Sequence, residues 1–142
     1  MRAIFGKALF VWLAIIPIAI ANGWLRQAVL VPKLGSAWGL ALSGLVLSLG
    51  IFVAAWLAAP WYGERARRLG FAIGVFWLVL TLGFEVGITL GAPDRGWQDV
   101  VRALNPATGN LWLLVLATTL LAPVIAARRS RPGSLPQARR RE

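Results

Sequence analysis

Polar residues are sparse along this chain, and they fall at intervals that divide it into four long apolar runs. The first begins at Ala8 and continues past Arg26 and Gln27 to Val31, after which Pro32-Lys33-Leu34-Gly35 reads as a tight turn. Residues 36–62 contain no charge and end in Pro60-Trp61-Tyr62-Gly63. The third run, 69–90, carries one charge, Glu85, and the fourth covers 106–127. About 20 predominantly apolar residues let an α-helix cross the hydrocarbon of a bilayer, and longer runs cross with tilt. The pattern therefore predicts an all-α, polytopic membrane four-helix bundle with spans at about 8–31, 36–62, 69–90 and 106–127.

The segments between the runs add detail. Asn105 followed by Pro106 reads as the start of the fourth helix, because Asn accepts from the orphan N–H groups of a first turn and Pro is tolerated at its first position. Between the third and fourth spans, Trp97, Val100, Val101 and Leu104 recur at helical spacing with Gln98, Asp99 and Arg102 on the other side, which predicts a short interfacial helix. Residues 128–142 are basic and turn-rich and are expected to form a disordered cytoplasmic tail. The one competing reading of the N-terminal region takes Arg2, Lys7, the apolar stretch and Ala19-Ile20-Ala21 as a cleavable secretory signal, leaving three spans. Trp12 and Pro17 inside the stretch argue against it.

Composition strengthens the membrane reading. Of 142 residues, 58% are hydrophobic and 14% charged, too few charges to solvate the surface of a soluble domain of this size. Cys and His are both absent. Their absence removes disulfides, thiolate nucleophiles, the usual zinc, haem and iron–sulfur ligands, and any Ser-His-Asp triad. No enzyme activity, cofactor or metal site is expected, since Glu85 is the sole acid within a span, and Asp94 and Asp99 lie in a loop without a neighbouring base.

Charge sets the expected orientation. Eleven basic residues flank one side: Arg2 and Lys7, then Arg65, Arg67 and Arg68, then Arg128, Arg129, Arg131, Arg139, Arg140 and Arg141. The other side has four, Arg26, Lys33, Arg95 and Arg102. The positive-inside rule then places both termini in the cytoplasm of a bacterial inner (plasma) membrane. The six tail arginines suit anionic lipid headgroups, and no aromatic interleaving supports nucleic-acid binding. Trp12, Trp24, Trp38, Trp56, Trp61 and Trp97 fall near expected span ends, where an amphipathic ring prefers to sit, whereas Trp77 and Trp112 fall deeper.

The candidate functional residues are polar ones inside the spans. Counting rise from Ala8 and from Leu69 puts Arg26 at about 27 Å and Glu85 at about 24 Å, a shared depth in the outer leaflet. Asn22 lies one turn below Arg26, and Asn105 and Asn110 begin the fourth span in the same layer. Thr81 and Thr89 flank Glu85 at i−4 and i+4, extending the intramembrane polar layer on span three. An ion pair between Arg26 and Glu85 is expected, because an unpaired carboxylate in low dielectric takes up a proton sooner than it stays charged. Such a layer either locks the bundle or holds a solute, ion or proton. A different face carries Gly83, Gly87 and Gly91, and with Gly70 and Gly74, and Gly39, Ser43, Gly44 and Ser48 on span two, these form the small-residue patterns through which helices pack in lipid. Pro17 and Pro123 bend spans one and four, as static packing features or as hinges.

Asn22-Gly23-Trp24-Leu25-Arg26 after the first span, Phe84-Glu85 in the third, and Asn110-Leu111-Trp112 with Pro123 in the fourth resemble a pattern in short bacterial four-span inner-membrane proteins that have no assigned activity. The resemblance covers most of the four-span region, omits the tail and implies architecture alone. Two functions remain: a small transport or channel-like bundle, as a homo-oligomer, using the outer-leaflet layer as its site, or a non-catalytic accessory subunit of a larger membrane protein complex.

Overall fold

A computed structural model of the chain describes residues 2–63, 65–103, 105, 107 and 110–128, with side chains at 65–67 and 103 excepted. Pro106 and the basic tail from Arg129 to Glu142, with its expected disorder, lie outside the described residues. Among the described residues every regular element is helical.

Helix α1 (Arg2–Leu25) continues through a π-helical segment (Arg26–Leu30) into a last α turn, α2 (Val31–Leu34), as one 33-residue rod. Pro17 sits on its exposed side without ending it. In the π segment Val31 donates its N–H to the carbonyl of Arg26, five residues back. Pro32, which has no N–H, follows two residues after that segment, where the regular i→i−4 ladder is interrupted. The chain reverses at Gly35, whose φ of 80° a side chain would disfavour. The turn was expected over Pro32-Lys33-Leu34-Gly35; Pro32 to Leu34 instead continue the helix, and the chain reverses at Gly35 alone.

Helix α3 (Ser36–Tyr62) runs back along α1 and stops at Gly63, again at positive φ (67°). Helix α4 (Arg65–Gly91) returns parallel to α1. After a turn through Asp94, the short helix α5 (Trp97–Ala103) begins where the Asp99 carboxylate accepts the Gly96 N–H at 2.9 Å, half of a capping box. Trp97 and Val101 of α5 are exposed, as an interfacial helix would present them.

The last helix, α6 (Trp112–Ala127), starts six residues later than expected. Asn105 does not cap it. Its Oδ1 accepts the Ala107 N–H at 3.0 Å in a local turn, and Leu111 precedes the helix without a side-chain cap. Its 16 residues rise about 24 Å, short of the roughly 30 Å of hydrocarbon, whereas the three other rods are long and apolar enough to span a membrane. Three such helices mark a membrane protein.

α6 is the hub against which α3 and α4 pack most extensively, and α1 lies on α3. Small residues make this possible. A Cβ at Gly70 would meet the Pro123 carbonyl at 3.2 Å, and one at Gly74 would collide with the carbonyl of Leu120. Across the bundle, a Cβ at Gly44 would lie 2.8 Å from Leu111 and one at Gly39 would lie 2.9 Å from the Val31 backbone. Gly83, Gly87 and Gly91 behave otherwise: among the described residues nothing lies within 4 Å of a Cβ on any of them, so this stripe packs against no described helix. The expected packing role therefore belongs to Gly39, Gly44, Gly70 and Gly74.

Candidate functional site

The rods close tightly at one end and separate at the other. Near the N-terminus, Trp77 of α4 is fully buried and donates its indole N–H to the carbonyl of Ala8 at 2.9 Å. One turn on, Trp12 donates to Thr81 Oγ1 at 3.0 Å, and its ring meets Phe84 edge-on with centroids 6.0 Å apart. Beyond this point α1 and α4 make little contact, and a cavity of about 260 Å³ opens between them, backed by Leu47 and Ile51 of α3 and Val115 of α6. Ile20 and Ile88 line it and are exposed, so it opens sideways as a groove on the bundle surface.

The groove lining gathers most of the expected polar layer. Asn22, Arg26, Thr81, Glu85 and Asn110 all contribute, with Trp112 at the start of α6. Thr89 is buried at 5% exposure outside the groove, and Asn105 is exposed in the loop before α6. On α1 the lining residues Trp12, Ile16, Ala19, Gly23 and Arg26 recur every three or four positions, one stripe of a helix. Gly23 matters by what it leaves open: no atom lies within 4 Å of a Cβ placed there.

The expected ion pair does not form. Both Trp contacts join residues 69 apart, Ala8 to Trp77 and Trp12 to Thr81, so α1 and α4 advance in step at that offset. Glu85 is then opposite Ile16, and Arg26 stands ten residues further along α1, about 15 Å beyond it. Taking Ala8 and Leu69 as equivalent starts misplaces the register by eight residues, because the residue opposite Ala8 is Trp77. Among the described residues the one ion pair is Arg102–Asp99 at 3.7 Å in α5, exposed and worth a few tenths of a kcal/mol at most. Arg26 and Glu85 face the same groove at different heights, and among the described residues neither has an ion-pair partner.

Asn22 shows what the site demands chemically. It is 6% exposed, and its Nδ2 donates to Ser43 Oγ at 2.9 Å, tying α1 to α3. Its Oδ1 is buried with no hydrogen-bond partner. A buried acceptor left unmatched costs about 1–3 kcal/mol, more than one bond to Ser43 returns. From the Gly35 end toward the N-terminal end the groove thus offers a guanidinium, a carboxylate and an aromatic floor.

The far wall is built from irregular backbone. Asn110 and Leu111 are not helical, and Gly44 of α3 admits Leu111 close against it. Non-helical chain at membrane depth is tolerated where protein covers it or where it lines a cavity, and Asn110 lines this one. Trp12 and Gly23 were not singled out from sequence as site residues. The heptad-like stripe leading to Arg26 was the available signal, whereas Trp12 had been assigned to a span end. Metal-ligating clusters are absent among the described residues. Comparison with family models, with curated proteins and with solved structures finds no match, so the groove itself carries the functional argument.

Proposed function

We propose that this chain is a small transport bundle of the bacterial inner membrane, crossing it four times with both termini in the cytoplasm, and that the groove between α1 and α4 is its binding site. The observation that carries this reading is the unspent bonding capacity of the lining: Arg26 and Glu85 both line the groove, and among the described residues neither forms an ion pair. Side chains that only stapled the bundle would satisfy one another, as Asn22 Nδ2 and Ser43 do. Intramembrane ionisable groups left open toward a cavity suit a guest. The tail arginines, with Arg128, hold the cytoplasmic face to anionic headgroups.

Reconstituted in liposomes, the purified protein is expected to move a solute or ion, and Arg26→Ala or Glu85→Gln to suppress that flux. A flat response across common ions and small solutes defeats the proposal. Orientation is tested separately. The chain has no Cys, so Gly63→Cys gives a single label site, expected to be protected from impermeant thiol reagents in intact cells. Labelling from outside reverses the topology.

One feature supports the second reading, a non-catalytic accessory or assembly subunit of a larger membrane protein complex. The Gly83, Gly87 and Gly91 stripe is exposed and empty, the form that a second transmembrane helix accepts. A defined homo-oligomer on purification fits transport; fixed co-purifying partners fit the subunit.

A further inference from the structure

We infer that Glu85 is a proton-binding site at the middle of the membrane, the group through which transport draws on a proton gradient; this rests on the groove being the transport site proposed above. Its depth carries the inference. Glu85 lies opposite Ile16 of α1, in step with the contacts that join Ala8 to Trp77 and Trp12 to Thr81. On α3, a Cβ at Gly50 would come within 3.1 Å of Ile18, and Leu47 and Ile51 share the groove lining with Ile15 and Ile16. Those α3 residues are the centre of the uncharged helix Ser36–Tyr62, so Glu85 stands about midway along it, well below Arg26. Sites for coupling ions in membrane transporters lie at that level.

A carboxylate at this depth needs a positive partner. Arg26 is the one other charged residue in the lining, about 15 Å further along α1, and α3 and α6 contribute no charged or titratable group to it. A metal ion does not suit the place. Hard cations gather six or more oxygens. At the level of Glu85 the lining adds the Thr81 hydroxyl, which already accepts the Trp12 indole N–H at 3.0 Å. Asn22 and Asn110, at the level of Ser43 and Gly44, stand about 9 Å nearer the Gly35 end. Ile16, Ile20 and Ile88 make the remaining walls hydrocarbon. A proton needs a single oxygen, and it leaves a neutral carboxyl that such walls accept.

The groove gives that proton access from one end. Toward the Gly35 end it is open past Gly23, where among the described residues no atom lies within 4 Å of a Cβ. Toward the N-terminal end it is shut by the Trp12–Thr81 bond, by the edge-on contact of Trp12 with Phe84 and by the fully buried Trp77. In the step itself, a hydronium ion entering the groove gives its proton to a carboxylate oxygen of Glu85 and leaves as water, and the side chain loses its negative charge. Release is the reverse transfer, from the carboxyl to water on the other side, once the Trp12–Thr81 contact has parted.

The test reads the carboxyl directly, by infrared spectroscopy of the full chain in liposomes while pH is swept over the range in which the protein stays folded. With five acidic residues in the chain, the bands are few. Wild type is expected to show a protonated-carboxyl C=O band that comes and goes with pH and is lost in Glu85→Gln, which keeps the shape and removes the charge. Asp94→Asn and Asp99→Asn should leave that band in place, and Glu85→Asp should restore a titrating band at a shifted frequency. No Glu85-dependent band, or one unchanged at every pH, overturns the inference. So does a midpoint that moves tenfold in proton concentration for each tenfold rise in Na⁺, K⁺ or Mg²⁺, which makes the guest a metal ion. Titration of Glu85 in a protein that moves nothing retains the site and removes the transport reading; flux with a silent Glu85 does the reverse.

Discussion

The two halves of this bundle are made from the same residue types and behave in opposite ways. In the half that holds the N-terminus and the Gly63 turn, Ala8, Ala55, Ala59, Ala122 and Ala126 are nearly or wholly buried, and Gly70 and Gly74 bring α4 onto the backbone of α6. In the half that holds the Gly35 turn, Gly39 and Gly44 of α3 are seated against Val31 and Leu111, but Gly23, Gly83, Gly87 and Gly91 have open space where a side chain would go. The buried groups there include Asn22, Ser43 and Thr89. A glycine is thus no sign of packing by itself. What matters is whether a backbone comes up to meet it, and in lipid that close approach supplies the dispersion contacts that water would otherwise drive.

The contrast can be broken most severely at Trp77. Trp77→Ala empties a fully buried site and frees the Ala8 carbonyl, an expected loss of about 3 kcal/mol or more in a reversible detergent unfolding titration. A loss below about 1 kcal/mol would mean that the tight half is not the stable half.

Gly74→Ala comes next, because its Cβ meets the Leu120 carbonyl, which is backbone and cannot rotate away. The expected cost is about 1–3 kcal/mol, against a gain of up to about 1 kcal/mol for Gly87→Ala on the same helix. Similar effects at both positions would erase the distinction between a seated glycine and an empty one.

In the open half, the Asn22–Ser43 bond should show a coupling of about 0.6 kcal/mol, and no more than about 1.7, in a cycle of Asn22→Leu and Ser43→Ala. Smallest of all is the coupling between Arg26→Ala and Glu85→Gln. With no ion pair between them, their effects on folding should add to within about 0.5 kcal/mol. Coupling above about 1 kcal/mol would mean that the two charges do meet.

Much of this was legible in the residues. Uncharged length located three rods, and the turn at Gly35 followed from the flexibility of glycine after Pro32. Asn22, Arg26, Thr81, Glu85 and Asn110 were recognisable because polar groups inside apolar runs have few reasons to be there. What failed was everything that depends on how one helix registers against another. The depth of Glu85 relative to Arg26 is set by Trp77 reaching Ala8, a contact between residues 69 apart that no local pattern encodes. The glycine stripes could not be sorted for the same reason, since spacing identifies a smooth face and says nothing of its neighbour. The start of α6 was misplaced because Asn105 and Pro106 carry a strong local signal for a helix. The chain instead turns at Asn105, and Leu111 lies against Gly44 before the helix begins.

The π segment has its own consequence for how this chain tolerates change in length. Its looser turn absorbs a surplus residue between the groove and the Gly35 reversal. Deleting one position there would restore a regular coil and leave Trp12 through Asn22 where they are. Because the wide turn already takes up that residue, the reversal at Gly35 would keep its phase around the axis and α3 its seat on α6.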